Sequence, residues 1–289
     1  CMANEVGRAK LMRDLLFTDA ERPIVAQLFT SHAEHIERAV VLARGLGFDG
    51  VDINMGCPDR AIEKQGAGAA LIKNPALAQE LIAAAKRGAN GLPVSVKTRL
   101  GYNRDTLEEW LSALIAAEPA AVTIHARTRK EMSKVPAQWE RIARAVKIRD
   151  GLKSSALIIG NGDAHDVADA REKALASGAD GVMLGRAIFG RPWLFADPHR
   201  QGVALAQDSS RRHLADAGDL APEKRLRVAV EHAKLFEELL GDIKNFAIMK
   251  KHFKAYVEGF DGARELRMQL METENAAEVE KRIEAFLAK

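Results

Sequence analysis

Cys57 stands in a glycine-proline turn, three residues after Asn54 and just beyond a short apolar run. A thiol on such a loop can act as a nucleophile, a metal ligand or a proton donor, and it can equally be a small buried side chain. The loop holds no second cysteine and no histidine, so no metal site is expected. Lys97 and His125 close two later apolar runs. Together an ammonium and an imidazole can hold the electron-rich carbonyl and N1 edge of a flavin, whereas a lone lysine in such a place is usually a surface charge. The segments IIGNGD, from Ile158, and VMLGRA, from Val182, each end an apolar run in glycines. Backbone N–H groups in such turns, after the last two strands of a barrel, form a phosphate site, with Arg186 close by in sequence. Two ordinary tight turns would read the same way.

Strands are expected to carry these residues. Apolar runs at 24–29, 50–54, 94–98, 121–125, 157–161 and 181–184 alternate with helical patterns at 32–45, 75–87, 106–117, 138–146 and 164–177. The runs are nearly continuous in apolar character, which suits strands buried on both faces of a parallel sheet. Gln27, Asn54, Lys97, His125 and Asn161 fall near the C-terminal ends of five of them, and in a barrel those ends converge on one mouth. No G-x-G-x-x-G follows an early strand, which weakens a dinucleotide-binding open sheet. The expected fold is α/β, a (β/α)8 TIM-type barrel over residues 1–200. A polar linker at 201–221 and a small all-helical domain at 222–289 follow it.

Composition sets the outer limits. With 289 residues, 47% hydrophobic and 29% charged, the chain excludes disorder, collagen and coiled coil. No apolar run approaches the roughly 20 residues that span a bilayer, and no charged-then-apolar leader opens the sequence. A cytoplasmic protein is therefore expected, and a monomer. Two cysteines cannot build a disulfide framework, so Cys57 is expected to be a free thiol. The net charge is only +3, but bases cluster. Residues 127–134 carry four bases and one acid, and 244–254 carry four lysines, His252 and no acid. Such clusters suit a phosphate backbone, with a solvated face as the plain alternative.

Read in order, NMGCP, SVKTRLG, TIHARTR, IIGNGD and GVMLGRA resemble the dihydrouridine synthases, flavoenzymes that reduce uridine in tRNA. The resemblance runs from about Ile24 to the end and includes KKHFKAY, from Lys250, in the helical domain. It implies FMN as cofactor, NADPH as reductant and tRNA as partner. By the resemblance Cys57 would protonate uracil C5 and Asn54 would help hold the base. Gln27, Lys97 and His125 would contact the isoalloxazine, while Asn161, Gly162, Gly185 and Arg186 would bind the FMN phosphate. Arg99, Arg127, Arg129, Lys250, Lys251 and Lys254 would track RNA phosphates. The family begins with a strand bearing an A-P-M type motif, and this chain opens at CMANEVGRAK, so an N-terminally incomplete barrel is expected. A flavin barrel acting on a free pyrimidine, or an RNA-binding protein without catalysis, would share part of this pattern.

Overall fold

The computed structural model describes residues 12–195 and 220–288. The opening stretch of the chain and nearly all of the expected linker lie outside the described residues. Six strands form one parallel sheet: β1 (Val25–Leu28), β2 (Gly50–Asn54), β3 (Val94–Arg99), β4 (Ala121–His125), β5 (Leu157–Asn161) and β6 (Gly181–Met183). They are hydrogen-bonded in chain order, β1 to β6. A doubly wound sheet reverses its strand order at a switch point, whereas unbroken sequential order is that of a barrel wall. The α/β fold is thus that of a (β/α)8 barrel, and the described residues supply six of its strands.

Between the strands lie α1 (Ala33–Gly45), α2 (Arg60–Lys64), α3 (Pro75–Ala89), α4 (Leu107–Ile115), α5 (Trp139–Gly151) and α6 (Val167–Ser177). Their starts follow local chemistry. The Asn74 side chain accepts the Leu77 N–H and Pro75 occupies the first turn of α3, where a missing N–H costs nothing. Asp59 caps α2 in the same way, accepting the N–H groups of Ala61 and Ile62.

Strands β2, β3 and β4 differ from expectation in one respect that matters for function: they pack apolar residues on one face and carry polar ones on the other, whereas β5 keeps Leu157 and Ile159 on that second face. Val94 and Val96 of β3 are buried among the apolar core, as are Val51, Ile53, Val122, Ile124 and Ile158 of its neighbours. The alternate positions form cross-strand rows on the other face. One row runs Gln27, Asp52, Ser95; the next runs Asn54, Lys97, Thr123; a third runs Arg99, His125, Asn161, Met183. In strands of three to six residues, small and weakly polar residues such as Gly50, Ala121 and Thr123 hide this alternation from a hydropathy reading.

The described residues divide into two compact units. The first holds the sheet and ends at Gly185; the second begins at Arg186, with Asp166–Ala168 also assigned to it. Within the second, α7 (Pro222–Leu240), α8 (Lys250–Tyr256), α9 (Ala263–Leu270) and α10 (Ala276–Leu287) pack together. Leu226, Ala229, Val230, Ala233 and Phe236 form one stripe of α7 and share a core with Phe253 and Tyr256 of α8 and with Val279 and Ile283 of α10. The breaks fall at Gly241, around Gly259–Gly262 and at Thr273, where the sequence has its glycines and its non-helical turn.

Candidate active site

Cys57 is half-buried and free. It sits in a turn that leaves β2 at Asn54, whose side-chain Oδ1 accepts the N–H groups of Gly56 at 3.1 Å and Cys57 at 2.9 Å. This Asx-type turn is what fixes the thiol to the strand end. The far side of the turn is held by the Ala69 N–H, which donates to the Cys57 carbonyl at 2.9 Å. Gly68 has φ +61°, and a Cβ there would come within 2.7 Å of that carbonyl and 3.3 Å of the Cys57 Cβ. Only glycine allows the backbone to close so tightly on the thiol.

Lys97 and Arg99 lie within electrostatic reach of the Cys57 sulfur. Burial, reinforced by Arg99, draws the Lys97 ammonium below its ordinary value, and Asp52 and Cys57 only partly oppose this. Among the described residues no carboxylate lies within ion-pairing distance of Lys97. His125, one strand over, is pushed down to about 3, first by burial and then by Arg99, Lys97 and Arg127, with Asp163 acting in the opposite sense. Its imidazole is therefore neutral near pH 7. Neighbouring rows of this face thus present a desolvated ammonium, a buried guanidinium and a neutral imidazole, with the thiol within electrostatic reach of Lys97 and Arg99.

At the end of β5, Asn161 donates from Nδ2 to the Met183 carbonyl at 2.8 Å, tying β5 to β6. Gly160 faces the Trp139 ring so closely that a Cβ would sit 2.4 Å from it, and Trp139 Nε1 donates to the Gly162 carbonyl at 2.9 Å. Gly185 is exposed, with open space where a Cβ would be. Arg186 opens the second unit on a one-turn 3-10 segment and is exposed.

Two of the arginines expected on RNA phosphates are placed otherwise. Arg99 is 8% exposed and donates from Nε to the Gly56 carbonyl at 2.8 Å and from Nη1 to the Thr128 and Met132 carbonyls. It braces the Cys57 turn against the loop after β4. Arg127 is 2% exposed, donates to the Val135 carbonyl and to His125 Nε2, and is ion-paired with Asp163. Both are enclosed, so the phosphate assignment is corrected for them; a count of local charge says nothing about which way a strand-end side chain turns. Arg129 is partly exposed and clasps Glu63, donating from Nε to Oε1 at 2.8 Å. Lys251 and Lys254 are exposed and Lys250 is half-buried, and among the described residues none of the three is ion-paired.

Asp52, Glu63 and Asp163 escaped the sequence reading. Asp52 had a signal, since it is a lone charge inside an apolar strand two residues before Asn54 and hence on the same face. Glu63 and Asp163 had none, because their partners are 66 and 36 residues away. Among the described residues no group of three or more His, Cys, Asp or Glu could hold a metal ion, and no helix is long and apolar enough to cross a membrane.

A polar face at the C-terminal ends of sequentially paired parallel strands, carrying a loop-borne thiol and a desolvated ammonium, is the site of a barrel enzyme. The chain matches the dihydrouridine synthase family model over residues 3–289. It is 39% identical over 277 residues to a probable tRNA-dihydrouridine synthase of Staphylococcus epidermidis, covering 95% of this chain and 79% of that one. It is 40% identical over 282 residues to probable tRNA-dihydrouridine synthase 2 of Bacillus subtilis, covering 97% and 81%. Among solved structures, morphinone reductase in complex with tetrahydroNAD aligns with 19% identity and a TM-score of 0.41, over 62% of this chain and 50% of that one. The chain belongs to the dihydrouridine synthase family.

Membership implies a flavin, and the donor set fits one. A partly desolvated ammonium and a neutral imidazole suit the electron-rich edge of a reduced ring, and the open backbone at Gly185 suits a phosphate.

Proposed function

We propose that this enzyme reduces the C5=C6 bond of uridines in tRNA to dihydrouridine, with FMN as cofactor and NADPH as reductant, as a cytoplasmic monomer. The observation that carries the reading is the placement of the Cys57 thiol, fixed by Asn54, on the same strand-end face as Lys97 and His125. FMN, when bound, would supply the hydride that NADPH provides. Lys97 and His125 would hold its electron-rich edge, and Gln27 would border the ring. Asn161, Gly162, Gly185 and Arg186 would hold its phosphate.

The protein's own part in the chemistry is a proton. Cys57 Sγ–H gives it to uracil C5, which general acid catalysis requires at a fixed position. Asn54 uses its oxygen to hold the Cys57 turn and one amide N–H on Gln27, and its second N–H would help hold the base. The base must leave its stack to reach a thiol on a loop, which RNA loops permit. Lys250, Lys251 and Lys254, none of them ion-paired among the described residues, supply cations for the RNA backbone, a feature that a free pyrimidine would not need. The test is direct. The purified chain should show flavin absorption and release FMN, and incubation with NADPH and unmodified tRNA should add two hydrogens to a uridine by mass spectrometry. A colourless protein that leaves tRNA unchanged would overturn the reading.

A further inference from the structure

Both N–H groups that meet the Asn54 side chain, those of Gly56 and Cys57, need an oxygen to accept them. The Asn54 amide nitrogen must then face away, and it donates to Gln27 Oε1 at 3.1 Å. Gln27 is left to donate from Nε2, and it does so to Asp52 Oδ2 at 2.8 Å. The other oxygen of Asp52 accepts the Ser95 hydroxyl at 2.7 Å. Asp52 is 7% exposed, at the buried end of this row. An ionised carboxylate only accepts, and a backbone N–H only donates. The two ends of the chain of bonds therefore dictate the orientation of both carboxamides between them.

We propose that Asp52 is a positioning residue for Cys57, acting through the relay Asp52, Gln27, Asn54 to the N–H of the thiol-bearing residue. It fixes the direction of the Gln27 amide, which fixes that of Asn54, which holds the turn. The relay explains why a charge occupies a buried strand position where a valine would pack without desolvation. Burial raises the Asp52 carboxyl, while Ser95, Gln27 and Lys97 favour its ionised, accepting form. The catalytic meaning of the relay rests on the reading of Cys57 as the acid, but the relay itself needs neither flavin nor RNA.

Iodoacetamide alkylation of the FMN-free full chain, followed by mass spectrometry on the peptide that carries Cys57, reports how firmly the turn is held. Gln27→Glu sets two carboxylates against each other, and Gln27→Met removes both polar ends. Gln27 is exposed, so both variants should fold, and each should speed alkylation about fivefold, the worth of one lost hydrogen bond. Adding Asp52→Asn to Gln27→Glu restores a donor opposite an acceptor and should return the rate to within about twofold of wild type. In an Asn54→Ala background the Gln27 substitutions should change nothing further, since the path is already cut. Wild-type alkylation in both Gln27 variants, failure of Asp52→Asn to rescue, or an equal effect without Asn54 would each overturn the proposal. Failure to reduce uridine would leave all three rate comparisons as they stand.

Discussion

Arg127 donates a hydrogen bond from Nη1 to Nε2 of His125 across 3.0 Å. A guanidinium only donates, so Nε2 accepts and the single proton of the neutral imidazole resides on Nδ1. His125 can therefore offer a hydrogen bond from Nδ1. Arg127, itself ion-paired with Asp163, selects the tautomer that does so.

This pairing gives the first prediction. The folded-state value of about 3 lies below the 6.5 of a free histidine. The unfolded chain takes up the proton first, so the stability present above 6.5 is lost as pH falls toward 3. Between about pH 6.5 and 4, the melting temperature of the wild type should fall more steeply than that of His125→Gln. Parallel slopes would show that His125 is not held neutral.

Lys97→Met should separate stability from function. Removing a desolvated ammonium that has no carboxylate partner among the described residues, while keeping an unbranched apolar stem, should leave the flavin-free melting temperature unchanged or higher. Flavin retained on purification should drop, and its reduction by NADPH should slow. A fall in stability with full flavin content would make Lys97 structural.

Cys57→Ala should leave flavin reduction by NADPH nearly intact while slowing uridine reduction by about 10²–10⁴-fold, the range of positioned acid catalysis. Stopped-flow absorbance reads the first half-reaction and tRNA mass spectrometry the second. Equal loss in both would remove the thiol from the acid role.

Two glycines should respond in opposite ways. Gly160→Ala drives a methyl into the Trp139 ring at 2.4 Å and should cost roughly 1–3 kcal/mol by denaturant melting, as overpacking does. Gly185→Ala meets open space and should leave stability unchanged, yet weaken FMN binding if the phosphate approaches that backbone. Unchanged FMN affinity would remove Gly185 from the phosphate site.

Replacing Lys250, Lys251 and Lys254 with alanine removes three cations from the helical unit. Binding of tRNA should weaken at low salt, and the slope of log K against log salt should become shallower by about 2 units, at 0.7–0.9 per phosphate contact. Flavin content should not change. An unaltered salt slope would leave these lysines as a solvated face.

The sequence by itself determined the element order, because hydropathy, caps and glycine punctuation are local. The strand at Gly50–Asn54 and the helix after Asn74-Pro75 follow from residues a few positions apart. It also determined which residues reach the strand ends, since Gln27, Asn54, Lys97, His125 and Asn161 are each the last or nearly the last residues of apolar runs. Only the tertiary structure decided what those side chains meet. Arg99 and Arg127 read as surface bases, yet backbone carbonyls and Asp163 from other loops enclose them. Asp52 read as part of an apolar strand, yet the parallel register puts it between Gln27 and Ser95, 25 and 43 residues away. Hydrogen-bond direction and desolvation depend on neighbours across the sheet, and pairing of strands distant in sequence is what supplies those neighbours.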